Sequence, residues 1–304
     1  MVEILMATYN GERFIRDQIC SIINQTYTNW HLLIHDDGST DNTLKILRCL
    51  SENDERICII EDGIKFGNAG DNFMHLIGFA KANYIMFADQ DDVWDSRKIE
   101  IMRSSITRED DTLPVVIYSS AMAWDGARDL YKIWNKPTNL NNTLFNNCGI
   151  QGASSMFNFS MVRLMKKWSG HVSMHDHLLL LLGVTCGKAL YCADVLMKYR
   201  KHQGAVTITS RTNNILKNII NGRKDYVIDT EHFKTIKQFS NIYWDYFDKN
   251  TRKSITDFIS MPKKTIIQRI IIILRNDFCI RNSRFTLISK LILRRFCVAE
   301  LKIL

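Results

Sequence analysis

Three aspartates stand within four positions at the end of an apolar stretch, in the segment YIMFADQDDVW over residues 84–94. They are Asp89, Asp91 and Asp92. Carboxylates packed this closely repel one another, and a nearby cation relieves that repulsion. The sequence therefore predicts a metal at this point, and the group that binds to the metal has to come from a substrate or from elsewhere in the chain.

The segments before this cluster alternate between strand and helix patterns. Apolar runs predict strands at 2–9, 30–37, 57–62 and 84–89, and helical spacing predicts helices at 12–26, after the turn at 38–43, and over about 70–83. Such alternation predicts a mostly parallel sheet with helices on both faces, and ligands bind beyond the carboxyl ends of its strands.

Polar residues gather where that rule places a site. They follow the first, second and fourth predicted strands, at residues 8–12, 36–39 and 89–92. Solvated turns with helix caps are the alternative interpretation, since loops are generally polar. Three clusters at equivalent strand ends favour a shared binding site.

The segment ATYNGERFIRDQICSIINQTYTNWHLLIHDDGSTDNT (7–43), followed by YIMFADQDDVW, resembles the nucleotide-sugar-binding half of family 2 glycosyltransferases with the GT-A fold. Bacterial members that build surface polysaccharides are the most similar in style. The likeness covers roughly residues 1–205. It implies an α/β fold with a Rossmann-like, mostly parallel central sheet flanked by helices, and the remaining residues predict a helical C-terminal extension.

The resemblance also implies roles for single residues. Asp91 is the main expected ligand of Mg²⁺ or Mn²⁺, with Asp89 and His202 as further ligands, and Asp92 either supports the site or caps the next helix. Contacts to the nucleotide sugar are expected from Thr8, Tyr9, Glu12, Asp36, Asp37, Asn68, Asn72, Asp89 and Gln90.

The expected chemistry explains these residue types. A sugar nucleotide releases a negatively charged diphosphate, and a divalent ion held by oxygen ligands offsets that charge. Arg200 or Lys201 is a further candidate for neutralising the leaving group. An inverting transfer also needs a base for the acceptor hydroxyl. Asp176 matches the family's acid at this point, although His177 and Leu178 stand where relatives carry aromatics, so the acceptor pocket differs.

Three histidines surround that acid, at positions 171, 175 and 177. A zinc site is one interpretation, but neither an HExxH motif nor a cysteine pair accompanies them. Packing at a helix start, or a place in the acceptor site, is favoured. Upstream, the small residues 152–154 are expected either to line the donor-sugar pocket or to pack in the core.

The basic excess of the chain lies in its last residues. The 304-residue chain has a net charge of +8, and residues 263–304 hold ten Lys or Arg against two acids, so they carry the whole excess. These cations alternate with Ile, Leu and Phe, and no uncharged run approaches the ~20 residues of a spanning helix. The tail is therefore predicted to lie on an anionic membrane surface. Packing on the catalytic domain, or a homodimer contact, is the alternative.

These observations predict a catalytic domain over 1–207, with a nucleotide-sugar-binding half at 1–95 and an acceptor half at 96–207, followed by the helical extension 208–304. The expected activity is a metal-dependent inverting transfer of glucose, galactose or rhamnose. The donor is a UDP- or dTDP-sugar, and the acceptor is a lipid-linked saccharide of O-antigen or capsule synthesis. Eight scattered cysteines and the lack of a leader pattern predict a cytoplasmic protein, peripheral on the inner face of the cell membrane.

Two other functional classes remain as alternatives. A sugar nucleotidyltransferase would need a glycine-rich basic loop after the first strand, and ATYNGERF is not such a loop. A nucleic-acid or anionic-surface binder could use the basic tail, yet residues 1–205 lack recognition motifs of that kind. No nucleic-acid partner is expected.

Overall fold

The computed structural model describes residues 1–145, 149–172, 174–202, 226–280 and 282–297. The chain divides into two compact units, the first made of Met1–Pro137 and Ile150–Ala205, the second of Thr138–Gly149 and Val206–Leu304. The division near residue 205 lies close to the predicted domain end at 207. The sequence did not predict that Thr138–Gly149 would group with the C-terminal unit.

The first unit is built on one nine-stranded sheet. Its strands are β1 Val2–Thr8, β2 Trp30–Asp36, β3 Ile57–Ile60, β4 Tyr84–Ala88, β5 Val93–Trp94, β6 Val115–Trp124, β7 Asp129–Ile133, β8 Ser155–Asn158 and β9 Lys188–Arg200. The spatial order is β3-β2-β1-β4-β8-β6-β9-β5, with β7 paired to β6.

The four N-terminal strands are parallel to one another, as their predicted alternation with helices requires. Thr8 at the end of β1 lies opposite Asp36 of β2. On the other side of β1, Met6 lies opposite Ala88, the last residue of β4. This register brings the polar segments after β1, β2 and β4 to the same edge of the sheet.

The second half of the unit returns a long strand to that edge. β8 is antiparallel to both β4 and β6, and the 13-residue β9 runs parallel to β6. Near its end β9 also pairs with β5, where Lys198 lies opposite Val93. Because β5 directly follows the acidic cluster, the residues after β9 arrive beside Asp91 and Asp92.

Helices surround the sheet and form the second unit. Their bounds are α1 Ile15–Ile23, α2 Thr43–Asn53, α3 Ala69–Phe79, α4 Lys98–Ile106, α5 Leu140–Thr143, α6 Phe159–Met165, α7 His175–Thr185, α8 Thr230–Tyr243, α9 Lys249–Ser260, α10 Ile266–Asn276 and α11 Arg284–Leu293. In α1 the fully buried Ile15, Ile19 and Ile22 recur at the spacing of one helix face. They belong to the same core cluster as β1, β2 and β4.

The second unit has a core of phenylalanine rings. Phe145, which follows α5, contacts Phe258 of α9 and Phe278 after α10, with ring centroids 5.1 and 5.4 Å apart. These contacts explain why Thr138–Gly149 groups with the later helices. The predicted helical extension is confirmed. Over the described ranges, none of the helices combines the length and the apolar character that a membrane span requires.

Candidate active site

The side chains of Thr8 and Asp36 join the ends of β1 and β2. Thr8 Oγ1 donates to Oδ2 of Asp36 at 2.8 Å, and Ser39 Oγ donates to the same oxygen at 2.6 Å. The other oxygen, Oδ1, accepts from the backbone N–H groups of Gly38 and Ser39. Gly38 has φ +85°, a conformation that favours glycine. Asp36 therefore fixes the turn after β2.

The loop after β1 is bonded to the loop after β2. Asn10, at φ +47°, donates its N–H to Ser39 Oγ at 2.8 Å and accepts from the Thr40 N–H at 2.8 Å. Gly11 donates its N–H to Thr43 Oγ1 at 2.8 Å. The two loops are thus held in one arrangement before any ligand binds.

Glu12 and Gln90 complete this scaffold from two sides. Glu12 Oε2 accepts from the backbone N–H and the side-chain amide of Asn42, at 2.8 and 2.9 Å. The Gln90 amide donates to the Tyr9 carbonyl and accepts from the Tyr9 N–H, at 2.9 and 3.0 Å. The Tyr9 ring is 55% exposed, so it is available to contact a ligand.

Asp37 positions the loop between β3 and α3. Its carboxylate oxygens accept from the N–H groups of Phe66 and Gly67, at 2.5 and 2.8 Å. Asn68 caps α3 because its Oδ1 accepts from the Asp71 N–H at 2.8 Å. Both predicted nucleotide contacts thus have a clear local role in shaping this loop.

Asn72 is a buried residue of α3 that is hydrogen-bonded to His35. It is 1% exposed, and its amide pairs with His35 through Oδ1 to the ring Nδ1 at 2.8 Å and Nδ2 to the carbonyl at 3.3 Å. The structure therefore places Asn72 in the interior beside β2, and its predicted contact with the nucleotide sugar stays a prediction.

The acidic cluster after β4 carries unbalanced negative charge. Asp92 is fully buried; its Oδ1 accepts from the Arg200 N–H at 3.1 Å, and its Oδ2 has no hydrogen-bond partner among the described residues. Burial, with Asp91 and Asp89 nearby, raises the pKa of Asp92 well above its usual range. Burial, Asp91 and then Asp176 raise the pKa of Asp89 to about 7. The cluster has the oxygen donors and the excess charge that suit a divalent cation.

Lys98 is a buried cation beside this cluster that the sequence analysis missed. Its Nζ donates to the Ala153 carbonyl at 2.6 Å and lies 3.8 Å from the centre of the Trp94 ring. Burial lowers the pKa of Lys98 to about 7, and the carboxylates of Asp92 and Asp89 oppose that shift. A signal was present, because Lys98 shares one face of α4 with the buried residues four and eight positions later.

His202 and Arg200 bind the end of β9 to the cluster. His202 Nε2 lies 2.6 Å from Asp91 Oδ2, so two of the predicted metal ligands are brought together. Besides its backbone bond to Asp92, Arg200 donates from Nε to the Asp91 carbonyl at 2.8 Å. The segment that carries the acids is therefore held by side-chain and backbone contacts from the second half of the sheet.

The Arg200 guanidinium is held by two aromatic rings and a carboxylate. It lies 4.5 Å from the ring centre of Phe14 and 4.4 Å from that of Trp124, and it donates to Asp17 Oδ2 at 3.1 Å. Its residue is only 7% exposed. These contacts favour a positioning role over the predicted neutralisation of a leaving group.

Asp176 occupies the second position of α7, close enough to Asp89 to raise the pKa of that carboxyl. Its Oδ1 accepts from the His177 N–H at 2.7 Å. A Cβ on Gly152 would lie 2.6 Å from Nε2 of His175 and 3.3 Å from the Cβ of Asp176. Glycine at 152 therefore allows the start of α7 to approach this segment and the acidic cluster.

The three neighbouring histidines do not converge. His171 lies 2.7 Å from the carboxylate of Asp71, while His175 and His177 are buried in the first turn of α7. In the described part of the chain, the His/Cys/Asp/Glu group close enough to share an ion contains none of these three. Their placement agrees with the packing interpretation and gives the zinc interpretation no support.

Comparisons with known proteins show which family this chain resembles in sequence. Residues 3–165 match the family model described as Glycosyl transferase family 2. The UDP-Glc:alpha-D-GlcNAc-diphosphoundecaprenol beta-1,3-glucosyltransferase WfgD of Escherichia coli is 28% identical over 207 residues, which are 68% of this chain and 79% of WfgD. The dTDP-rhamnosyl transferase RfbG of Shigella flexneri is 44% identical over 99 residues, covering 31% of this chain and 34% of RfbG.

Solved structures show the same fold. The crystal structure of S. aureus TarS 1-349 in complex with UDP-GlcNAc has a TM-score of 0.58 and 15% sequence identity, covering 90% of this chain and 79% of that one. This likeness concerns the fold alone. Since the family model spans more than half of the sequence and the sheet has the predicted architecture, the chain belongs to glycosyl transferase family 2 and is a glycosyltransferase with a GT-A fold.

Proposed function

We propose that this glycosyltransferase is metal-dependent and inverting, and that it moves a hexose from a UDP- or dTDP-sugar to a lipid-linked saccharide in O-antigen or capsule synthesis. The names of WfgD and RfbG support donors of these two classes, and that of WfgD supports a diphosphoundecaprenol-linked acceptor. The observation that carries the proposal is the 2.6 Å contact between His202 Nε2 and Asp91 Oδ2, together with the influence of Asp91 and Asp176 on the pKa of Asp89.

The residues at this edge fit a hard divalent cation. Asp91, Asp89 and His202 would hold Mg²⁺ or Mn²⁺, which when bound would offset the charge of the departing diphosphate. The buried Oδ2 of Asp92, without a partner among the described residues, adds negative potential behind them. The bonds from Gln90 and Arg200 keep the acid-bearing segment in place without using the carboxylate of Asp91.

Asp176 is proposed to remove the proton from the acceptor hydroxyl. The hydroxyl oxygen bonds to the anomeric carbon as the nucleoside diphosphate leaves with the electrons of the broken bond. A carboxylate suits this base role when it lies within hydrogen-bond reach of the hydroxyl. The start of α7 places Asp176 near Asp89 while leaving it partly exposed to an entering acceptor.

The exposed edge of the site supports nucleotide binding. The Tyr9 ring is exposed to solvent, and the preceding residue, Thr8, is hydrogen-bonded to Asp36. Asp37 fixes the neighbouring loop through the Phe66 and Gly67 amides. These loops offer a preorganised surface, which lowers the entropy that nucleotide binding would otherwise cost.

A panel of nucleotide sugars tests the donor and the metal together. UDP- and dTDP-linked glucose, galactose and rhamnose are compared for thermal stabilisation and hydrolysis, with Mg²⁺, Mn²⁺ or EDTA. We expect one donor class to stabilise the chain only with the metal, and Asp91→Asn to remove that effect. Asp129→Asn, at an exposed carboxylate that pairs with Lys198, is the control. Full activity in EDTA would refute the metal proposal.

The C-terminal helices support attachment to the inner face of the membrane. Along α10, Ile267, Ile271 and Leu274 are 68, 57 and 53% exposed, at the spacing of one helix face. In α11, Phe285 is 82% exposed. Exposed apolar side chains among basic residues suit a helix lying in the interface of an anionic bilayer.

The structure also dictates how to test this attachment. Removing everything after residue 262 would delete Ile273, Phe278 and other buried residues, so such a truncation would also disturb folding. A triple change to serine at 267, 271 and 274 touches only the exposed face. We expect it to reduce sedimentation with anionic vesicles.

The same change to serine at Leu113, an exposed apolar residue of the first unit, is the matched control and should not reduce sedimentation. If the wild-type chain ignores anionic vesicles at low salt, the membrane proposal is wrong. If the triple change instead converts a dimer to a monomer, the apolar face is a homodimer contact.

A further inference from the structure

Two histidines and an aspartate meet on the far side of the loop that Asp37 fixes. His35 lies at the end of β2, Asp62 follows β3, and His75 lies on α3. His35 Nε2 is 3.2 Å from Asp62 Oδ1, and His75 Nε2 is 2.6 Å from Asp62 Oδ2. One ligand atom from each residue lies within 4.8 Å of the others. Neither the resemblance nor the proposed transfer reaction uses this group.

Asn72 determines which ring nitrogen of His35 carries a proton. Its Nδ2 donates to the His35 carbonyl at 3.3 Å, so its Oδ1 must be the atom that faces the ring at 2.8 Å. His35 Nδ1 therefore donates to Asn72. In the neutral ring Nε2 then has only a lone pair, and it faces a carboxylate oxygen of Asp62. Two acceptors at this distance require a proton or a metal ion between them.

The arrangement matches a transition-metal site in several respects. Imidazole nitrogens and one carboxylate are ligands that Zn²⁺ prefers. Zinc bonds of ~2.0–2.1 Å place tetrahedral ligand atoms about 3.3 Å apart, close to the separation of His35 Nε2 and Asp62 Oδ1. Metal-bound histidines commonly donate their other N–H to an oxygen, as His35 does to Asn72. His75 lines an open cavity of about 340 Å³, which gives an ion access.

We propose that His35, Asp62 and His75 bind Zn²⁺ or a similar transition metal, with water completing the coordination. The ion would join the ends of β2 and β3 to α3. The loop between β3 and α3 is thereby closed at its base by the metal and at its tip by Asp37. The role is structural and separate from the oxygen-rich cluster at Asp91.

Cobalt binding tests the proposal with a readout other than activity. The full chain without an affinity tag is stripped with a chelator and titrated with Co²⁺ in excess Mg²⁺, which occupies the oxygen-rich site. We expect one equivalent of Co²⁺ to give the visible absorption of a tetrahedral site, and Zn²⁺ to displace it. His75→Gln should abolish the band. Asn72→Ala should weaken binding by roughly 10–100-fold, the usual effect of losing a group that orients a ligand.

Two matched variants keep the result specific. His31→Gln replaces an exposed histidine on the same strand, β2, and should leave the band unchanged. Asp91→Asn should also leave it unchanged. Absence of the band in the wild-type chain, or its persistence in His75→Gln, would overturn the proposal. Loss of the band in Asp91→Asn would place the ion at the acidic cluster and overturn it as well.

Discussion

His175 is expected to make the stability of the first unit sensitive to acid. Its ring lies between Phe73 and Phe87, with centroids 4.0 and 4.8 Å away, and its Nε2 has no hydrogen-bond partner among the described residues. Water cannot hydrate an imidazolium in this position. Burial accordingly lowers the pKa of His175 to about 3.

The direction and the size of the effect follow from that pKa. In the unfolded chain a histidine takes up its proton near pH 6.5, whereas folded His175 stays neutral down to about pH 3. Between these values the unfolded state binds the extra proton, so the free energy of unfolding falls as pH falls. At about pH 5 the gap is roughly 1.5 pH units, and about 1.36 kcal/mol per unit gives ~2 kcal/mol. A folded pKa one unit higher leaves this figure almost unchanged.

The variant His175→Leu replaces the titrating group with an apolar side chain of similar size. Wild type and variant are unfolded in urea at about pH 7.5 and about pH 5. Peptides of α7 are followed by hydrogen–deuterium exchange, which reports on the first unit separately from the second. We expect the variant to lose ~2 kcal/mol less than wild type between the two values. Equal losses would show that His175 is hydrated or paired when protonated, and would refute the reasoning.

Two further predictions concern the carboxylates of the site. Lys98→Met should destabilise the first unit by roughly 3–5 kcal/mol in urea unfolding, because it leaves Asp89 and Asp92 without their buried counter-charge; an unchanged midpoint would mean that the acids hold protons already. Asp176→Asn should lower transfer by roughly 10²–10⁴-fold while nucleotide-sugar binding is retained, as expected for a general base. An equal loss of donor binding in a thermal-shift assay would mean that Asp176 contacts the donor instead.

The location of the site was predictable from local patterns. In the sequence, β1, β2 and β4 each appear as an apolar run followed by polar residues. Parallel strands bring those polar ends to one edge of the sheet. Thr8, Asp36 and Asp89 are found there. The helices between these strands were predictable as well, because their apolar residues recur at helical spacing. The C-terminal helices were predictable for the same reason.

The partners of these residues were not predictable, because they depend on contacts between distant segments. Arg200 is placed by Phe14 and Trp124, which are far from it in sequence and become neighbours only when β9 returns to the edge. That His202 and Asp91 lie together was expected from the family resemblance, and sequence spacing alone could not predict their contact. The group of His35, Asp62 and His75 has no motif spacing at all.

Roles were also harder to predict than positions. Glu12, Asp37 and Asn68 were expected to contact the nucleotide, and each is found accepting a hydrogen bond from a backbone N–H, in a neighbouring loop for Glu12 and Asp37 and in the first turn of α3 for Asn68. A carboxylate or amide at a strand end can do either task, since both need the same acceptor oxygen. The nucleotide roles of these residues therefore stay predictions, which depend on the ligand experiments proposed for the site.

The electrostatic balance of the edge gives a reason to expect tight coupling between metal and donor. Two of the carboxylates after β4, Asp89 and Asp92, interact with one buried ammonium, Lys98, and the pKa of Lys98 is itself lowered by burial. Buried carboxylates with too little positive charge nearby destabilise the folded chain unless another cation binds to them. A divalent ion relieves the repulsion among the carboxylates. It also leaves some positive charge unbalanced, which the negative charge of a bound diphosphate can offset. Each ligand therefore favours the other, and thermal stabilisation by both together should exceed the sum of the two separate effects.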